Sequence, residues 1–245
     1  MVKQPIDVEQ LWNSHIENKN ELNRKERYEG NEHWFHGSAA GKCVRKIYYE
    51  SVLKIKPTNK NSNKGNRILR VGTVLHDEFQ DAVLKGFNNI YNNIYNIYIE
   101  KEHLIQNLNV RGFSDLIIEK DGVFLYDFKT IGGFPYKIRF EFMPKYTQND
   151  LNEMQLATYG LSVKEEFGRL DGMYLTFLNK DTMDMRTIEV NKSYLDKAKK
   201  YWENVNKIVE KGLPPLDYVN SPAYKWECKW KNGCCPFYER CVKDG

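Results

Sequence analysis

Long apolar runs are missing from this 245-residue sequence. The stretch around residues 173–178 falls far short of the ~18 residues a membrane span requires. The first ten residues are polar and lack the apolar core of a signal peptide, so a cytoplasmic protein is expected, in a bacterial, archaeal or phage-infected host cell. An excess of one charge is missing too: 37 Lys and Arg stand against 33 Asp and Glu, and a net charge of +4 permits a nucleic-acid partner without demanding one. No G-x-x-x-x-G-K-[ST] loop occurs, which excludes an ATP-driven motor of that type, and no repeat of domain size is present. Cysteine is scarce: four of five (Cys228, Cys234, Cys235, Cys241) crowd the last 18 residues, and Cys43 stands alone near the other end. In a reducing compartment such a cluster points to a metal site more than to a disulfide framework.

What is present suffices for a packed core, with 41% hydrophobic and 13% aromatic residues. The first 36 residues carry a few apolar anchors (Leu11, Trp12, Ile16, Leu22) consistent with a short helix. Ser38 reads as the N-cap of a helix through Cys43, Arg45, Ile47 and Tyr48. Residues 56–66, rich in Asn and Lys, read as an exposed loop. From about residue 70 to 85, Val71, Leu75, Phe79 and Ala82 or Val83 recur at helical spacing and put His76 beside the packed stripe. Residues 88–98 repeat Asn, Ile and Tyr and read as a connection. Strands are expected at 97–105, 110–118 and 123–129, with turns at 106–109 and at Lys120-Asp121-Gly122. Thr147 can cap a helix through Leu151, Met154, Ala157 and Leu161, which sets Gln155 and Tyr159 four apart on one side. Two more strands, 173–178 and 185–190, flank a turn at 179–182. A final amphipathic helix (Tyr194, Tyr201, Val205, Ile208) stops at Gly212.

The pattern with most chemical content is Gly112-Phe113-Ser114-Asp115 on one strand and Asp127-Phe128-Lys129 on the next. If the hairpin loop is three residues with Gly122 left-handed, Glu119 pairs with Val123 and Asp115 lies opposite Asp127. A period of two then puts Lys129 on the face of Asp127, with Phe113, Ile117, Val123 and Leu125. Phe128 joins Leu116, Ile118, Phe124 and Tyr126 on the other face. Two carboxylates on a half-buried face oppose folding unless something resolves their repulsion, and a divalent cation with hard oxygen ligands does so. A turn-capping Asp115 and a plain Asp127–Lys129 surface pair are the bland alternative.

The ordered series G-T-V-L-H, G-F-S-D, D-F-K and Q-L-A-T-Y, from Gly72 to Tyr159, resembles the motif set of RecB-like PD-(D/E)XK nucleases. The resemblance implies an α/β, restriction-endonuclease-like core with a central mixed sheet of about five strands flanked by helices. It implies that His76, Asp115, Asp127 and the carbonyl of Phe128 bind Mg²⁺ or Mn²⁺. Lys129 would then orient or activate water and stabilise developing charge, while Gln155 and Tyr159 would support the site and contact the DNA strand. Asp127 stands where other members carry Glu. The His on the first helix is associated mostly with exonucleases.

One early cysteine and three late ones, closed by C-P-x-x-x-x-C, resemble the 4Fe-4S staple of AddB-type nucleases and CRISPR-associated RecB-like exonucleases. The resemblance implies Cys43, Cys228, Cys235 and Cys241 as ligands that clip residues 37–50 to residues 213–245. The interval after Cys228 is longer than the family's, which leaves Cys234 open as the middle ligand, and zinc would use the same thiolates. Arg45, Lys46, Lys225, Lys229, Lys231 and Arg240, interleaved with Trp226, Trp230 and Phe237, suit either a single-stranded DNA path or a solvated rim.

The sequence therefore predicts one nuclease domain over residues 1–245 with its catalytic core at 70–190. Its expected activity is that of a metal-dependent DNA exonuclease acting on single-stranded or end-containing DNA. Recombination, repair, phage or CRISPR adaptation proteins are the partners in view. The alternative is a DNA-end-binding or structural subunit of a larger complex.

Overall fold

A computed structural model describes residues 6–28, 34–58, 61–90, 96–142, 150–216, 227–230 and 233–245. The helices among them are α1 (Val8–Tyr28), α2 (Val44–Ile47), α3 (Asn63–Ile90), α4 (Gly133–Lys137), α5 (Leu151–Phe167), α6 (Ser193–Val209) and α7 (Tyr238–Lys243). The strands are β1 (Phe35–His36), β2 (Asn96–Ile105), β3 (Val110–Glu119), β4 (Val123–Ile131), β5 (Gly172–Asn179), β6 (Met185–Glu189), β7 (Lys229–Trp230) and β8 (Gly233–Cys234). Among the described residues, β1 to β6 form a mixed six-stranded sheet in the order β1-β3-β4-β5-β6, with β2 on the other edge of β3. The five longer strands are those the sequence predicts, and the short β1 is the addition. No helix among the described residues is long and apolar enough to cross a membrane.

Local chemistry accounts for most boundaries. The β2–β3 connection closes through a 3-10 turn, Gln106–Leu108, and Asn109 at φ 55°, a left-handed position that Asn tolerates. α6 and its trailing turn end where Gly212 takes φ 99°. Helix starts follow prediction less well. Ser38 lies in a 3-10 turn, Gly37–Ala39, and α2 begins only after Cys43 without a side-chain cap. α5 starts after Asp150, again without one, and Thr147 lies outside the described residues. α1 is far longer than a short anchor helix, at 21 residues.

The β3–β4 register is as predicted: Glu119 pairs with Val123, and the ladder continues through Ile118–Phe124 and Ile117–Leu125 to Leu116–Tyr126. The turn that sets it differs, because Gly122 is not left-handed. A Cβ there would stand 2.9 Å from Asp171 Oδ2, the atom that accepts the Val123 N–H at 2.7 Å. Close approach, not backbone handedness, accounts for that glycine.

α5 is buried almost all round, between the sheet and α6. Trp202 of α6 donates Nε1–H to Thr158 Oγ1 at 2.9 Å and stacks on Phe35 of β1. α3 covers the opposite face of the sheet: Phe79 stacks on Phe128 with ring centroids 4.3 Å apart. Gly72 lets α3 come this close, since a Cβ there would meet Thr130 Oγ1 at 3.0 Å.

Candidate active site

On the α5 side of the sheet, β3 presents Val110, Gly112 and Ser114, and then Ile117. The step from 114 to 117 is odd, so the alternation slips by one residue and Asp115 and Leu116 both turn toward α3. β2 slips in step: His103 and Lys101 lie on the α5 side, and so does Tyr98, which packs edge-on against Phe167. The ladder joins Lys101 to Ser114 and Ile99 to Leu116 but passes over Glu100 and Asp115. Glu100 sits at φ 48°, a left-handed backbone that costs a non-glycine residue on the order of 1 kcal/mol. The expectation that Phe113, Asp115, Ile117 and Asp127 share one face is therefore corrected. Phe113 is exposed beside Arg111, and Asp115 approaches from the α3 side.

Asp115 nevertheless meets Asp127, because β3 and β4 part beyond Leu116–Tyr126. On the same edge β3 next pairs with β1, at Val110 and Arg111, which leaves residues 112–115 facing a seam in the sheet. Across that seam Asp115 Oδ2 accepts the Phe128 N–H at 2.5 Å. His76 places Nδ1 3.6 Å from the same oxygen and also hydrogen-bonds to the Phe128 backbone. A helical turn further along α3, Gln80 Nε2 donates to Glu100 Oε1.

From the α5 side, Lys129 Nζ stands 2.6 Å from Asp127 Oδ2 and donates to Gln155 Oε1 at 3.1 Å. Gln155 Nε2 lies 3.4 Å from Asp127 Oδ1 and 3.2 Å from the Tyr159 hydroxyl. The sheet thus holds Asp115 with His76 on one face and Asp127, Lys129, Gln155 and Tyr159 on the other, joined through the seam. All of the predicted active-site residues come together. Glu100 and Gln80 join them with no motif to announce either.

The electrostatics reflect two crowded carboxylates. Burial, and then the Asp127 charge, push the Asp115 carboxyl up to about 8, against the opposing pull of Lys129 and the Phe128 N–H. Burial and the neighbouring Lys129 lower His76, so its ring favours the neutral form. Burial raises the Tyr159 hydroxyl, and the charge of Asp127 adds to the rise. Among the described residues no three His, Cys, Asp or Glu side chains are gathered closely enough to hold a metal ion as they stand. The donor types at the seam, two carboxylates, a backbone carbonyl and a neutral imidazole, do suit Mg²⁺ or Mn²⁺.

The cysteine region is held first by polymer contacts. Buried Arg45 donates to the carbonyls of Asp244 and Gly245, each at 3.1 Å, and Tyr49 donates its hydroxyl to Asp244. The Cys43 N–H is donated to Glu227, and Phe237 is buried against Tyr49. Arg45 and Phe237 are thereby committed to the interior and removed from any DNA path; Lys225, Trp226 and Lys231 lie outside the described residues. Cys43, Cys228, Cys235 and Cys241 form no disulfide; burial raises the thiols of Cys235 and Cys241, and the charges of Cys43 and Cys228 add to the rise. The Cys234 side chain lies outside the described residues.

Comparison with known proteins identifies the family and the fold. The PD-(D/E)XK nuclease superfamily matches residues 91–242, well over half of the chain. No curated protein matches the sequence. Among solved structures, the alkaline exonuclease LHK-Exo from Laribacter hongkongensis has a similar fold, with 11% identity over 77% of this chain and 94% of that one at TM-score 0.50. The same enzyme in complex with dAMP gives 12% identity, the same coverage and TM-score 0.50. The structure of SSO0001 shares 20% identity over 86% of each chain at TM-score 0.49.

Proposed function

Because the chain belongs to the PD-(D/E)XK nuclease superfamily, we propose that it hydrolyses DNA phosphodiester bonds with Mg²⁺ or Mn²⁺ as cofactor, as an exonuclease on single-stranded or end-containing DNA. The observation that carries the proposal is the meeting of His76 and Asp115 with Asp127, Lys129 and Gln155 across one seam of the sheet. A mere surface salt bridge does not bury Asp127 or hold Lys129 between a carboxylate and an amide oxygen.

In this reading His76, Asp115, Asp127 and the Phe128 carbonyl hold the cation. When bound, it supplies Lewis-acid polarisation of the scissile phosphate. Lys129, steered by Asp127 and Gln155, brings a positive charge to the phosphate as negative charge builds on its oxygens. A water oxygen bonds to phosphorus as it gives up a proton to solvent, the P–O bond to one sugar breaks, and the departing sugar oxygen takes a proton from solvent to leave as a hydroxyl. Residues 70–190 form the catalytic core of a single domain spanning 1–245, which includes the cysteine region. Cys43, Cys228, Cys235 and Cys241 would hold a 4Fe-4S cluster, with zinc as the alternative occupant, once their thiols draw closer than they stand here.

The test is cleavage of end-labelled single- and double-stranded DNA with Mg²⁺ or Mn²⁺, comparing the native protein with Asp127→Ala and Lys129→Ala. Loss of cleavage by about 10²-fold or more is expected in each variant. Undiminished degradation by both would remove the active-site assignment.

A further inference from the structure

His103, in β2, is a buried imidazole that the proposed chemistry does not use. It is 1% exposed, its ring lies nearly parallel to that of Tyr159 (16° between planes, centroids 5.5 Å apart), and Nε2 stands 2.8 Å from Ser114 Oγ. Nδ1 is buried and finds no hydrogen-bond partner among the described residues. Burial holds the imidazole down at about 4, so the ring is neutral at ordinary pH. Whichever of Nε2 and Ser114 Oγ donates, the other ring nitrogen is left without a partner in the interior. An apolar side chain would fill this space without the desolvation penalty, so the polar pair calls for an explanation beyond packing.

The surroundings of Tyr159 supply one. Gly112 lies against its ring, where a Cβ would come within 2.5 Å of Cε1, and at Gly37 a Cβ would come closer still. Two glycines and the stacked imidazole thus close around the tyrosine. The Ser114 bond fixes the plane of the imidazole, which otherwise turns about its terminal torsion. The tyrosine hydroxyl faces Gln155 Nε2, and that choice of amide orientation turns Oε1 toward Lys129.

Resting on the nuclease reading above, we propose that His103 and Ser114 are positioning residues: together with Gly37 and Gly112 they fix the Tyr159 ring, and through Gln155 they aim the Lys129 ammonium. The relay runs Ser114, His103, Tyr159, Gln155, Lys129. It contacts no reacting atom before its last member.

Ser114→Ala deletes one interior oxygen and is the mild variant; His103→Ala removes the whole ring. In steady-state DNA cleavage each is expected to lower kcat by about tenfold or more with KM within about twofold, as misplacement of a catalytic group does. In a Gln155→Ala background the further loss should largely vanish, because the relay is already cut. A second readout needs no activity: the rate at which Lys129 is acetylated by an amine-reactive reagent, followed by peptide mass spectrometry, should rise several-fold in Ser114→Ala. A full additional loss in the Gln155→Ala background, a change confined to KM, or an unchanged Lys129 acetylation rate would overturn the inference. If the native protein shows no Asp127-dependent cleavage, the nuclease reading fails, and the acetylation rates still decide whether the relay holds Lys129.

Discussion

Glu100 and Asp115 face one another on β2 and β3 at a position that the ladder between those strands passes over. Both strands slip their alternation there, and both carboxylates turn toward α3, where Gln80 and His76 meet them a helical turn apart. The distortion separates Asp115 from Ile117, whose face period two would give it, and leaves the carboxylate on the α3 side at the seam. Glu100 carries the backbone cost of this arrangement in its left-handed conformation.

That cost is measurable. Glu100→Ala and Glu100→Gly both lose the Gln80 hydrogen bond, and only alanine retains a Cβ at φ 48°. The glycine variant is expected to be about 1 kcal/mol more stable than the alanine variant in urea unfolding. Equal midpoints would mean that the strand relaxes once Glu100 is removed.

Stability of the metal-free protein should fall as pH rises from about 6.5 to 8. The Asp115 carboxyl, pushed up to about 8 by burial and by Asp127, favours the protonated folded form. Its contribution is complete below the ordinary carboxylate range and is lost as pH climbs through the raised value. His103, held down at about 4, and His76, also lowered, act in the opposite sense, and their contribution disappears as pH falls below about 6.5. Lys42, lowered to about 8 chiefly by burial, gains stability only above that pH. Thermal melts in chelator across this window should show a slope that Asp115→Asn flattens and that Mg²⁺ or Mn²⁺ opposes. A slope unchanged in Asp115→Asn would assign it to another group.

Gly112→Ala presses a methyl group into the Tyr159 ring and is expected to cost about 1–3 kcal/mol, with reduced cleavage. Gly86→Ala is the contrasting substitution. Gly86 lies within α3, where an added methyl group would have nothing within 4 Å, and alanine should stabilise the helix by up to about 1 kcal/mol. If both variants lose stability alike, contact with Tyr159 is not what demands a glycine at 112.

Protein purified without oxygen is expected to be coloured and to contain iron and sulfide, and Cys43→Ser or Cys241→Ser should lose both. Because Arg45, Tyr49 and Glu227 hold the tail by polymer contacts, these variants should remain folded near room temperature and melt earlier. Colourless protein with stoichiometric zinc would identify the other occupant.

The long, strongly patterned elements are legible in the sequence. The strand from Val123 to Ile131 and its register with β3 follow from alternation and a short turn, both local properties. His76, Asp127, Lys129, Gln155 and Tyr159 are legible because each sits on a regular element at a fixed spacing. Asp115 is legible as a residue, but its direction is not. The slip beside it coincides with a left-handed residue on the neighbouring strand, and that residue is a glutamate, which carries none of the signal a glycine would. His103 escapes sequence reasoning because its partner and its stacking ring come from β3 and α5. The available hint is Gly112, a glycine inside a strand, which marks a close approach to something.

The seam between β3 and β4 also bears on when the protein can act. Its lining is drawn from residues 76 to 159, so closing it requires contacts far apart along the chain, which form late and cooperatively as a fold completes. A chain still leaving the ribosome carries the D-F-K tripeptide well before α5 has emerged, yet has nothing to steer its lysine. The steering of Lys129 therefore arrives with the finished tertiary structure, and a chain whose α5 is not yet docked presents the D-F-K strand without it.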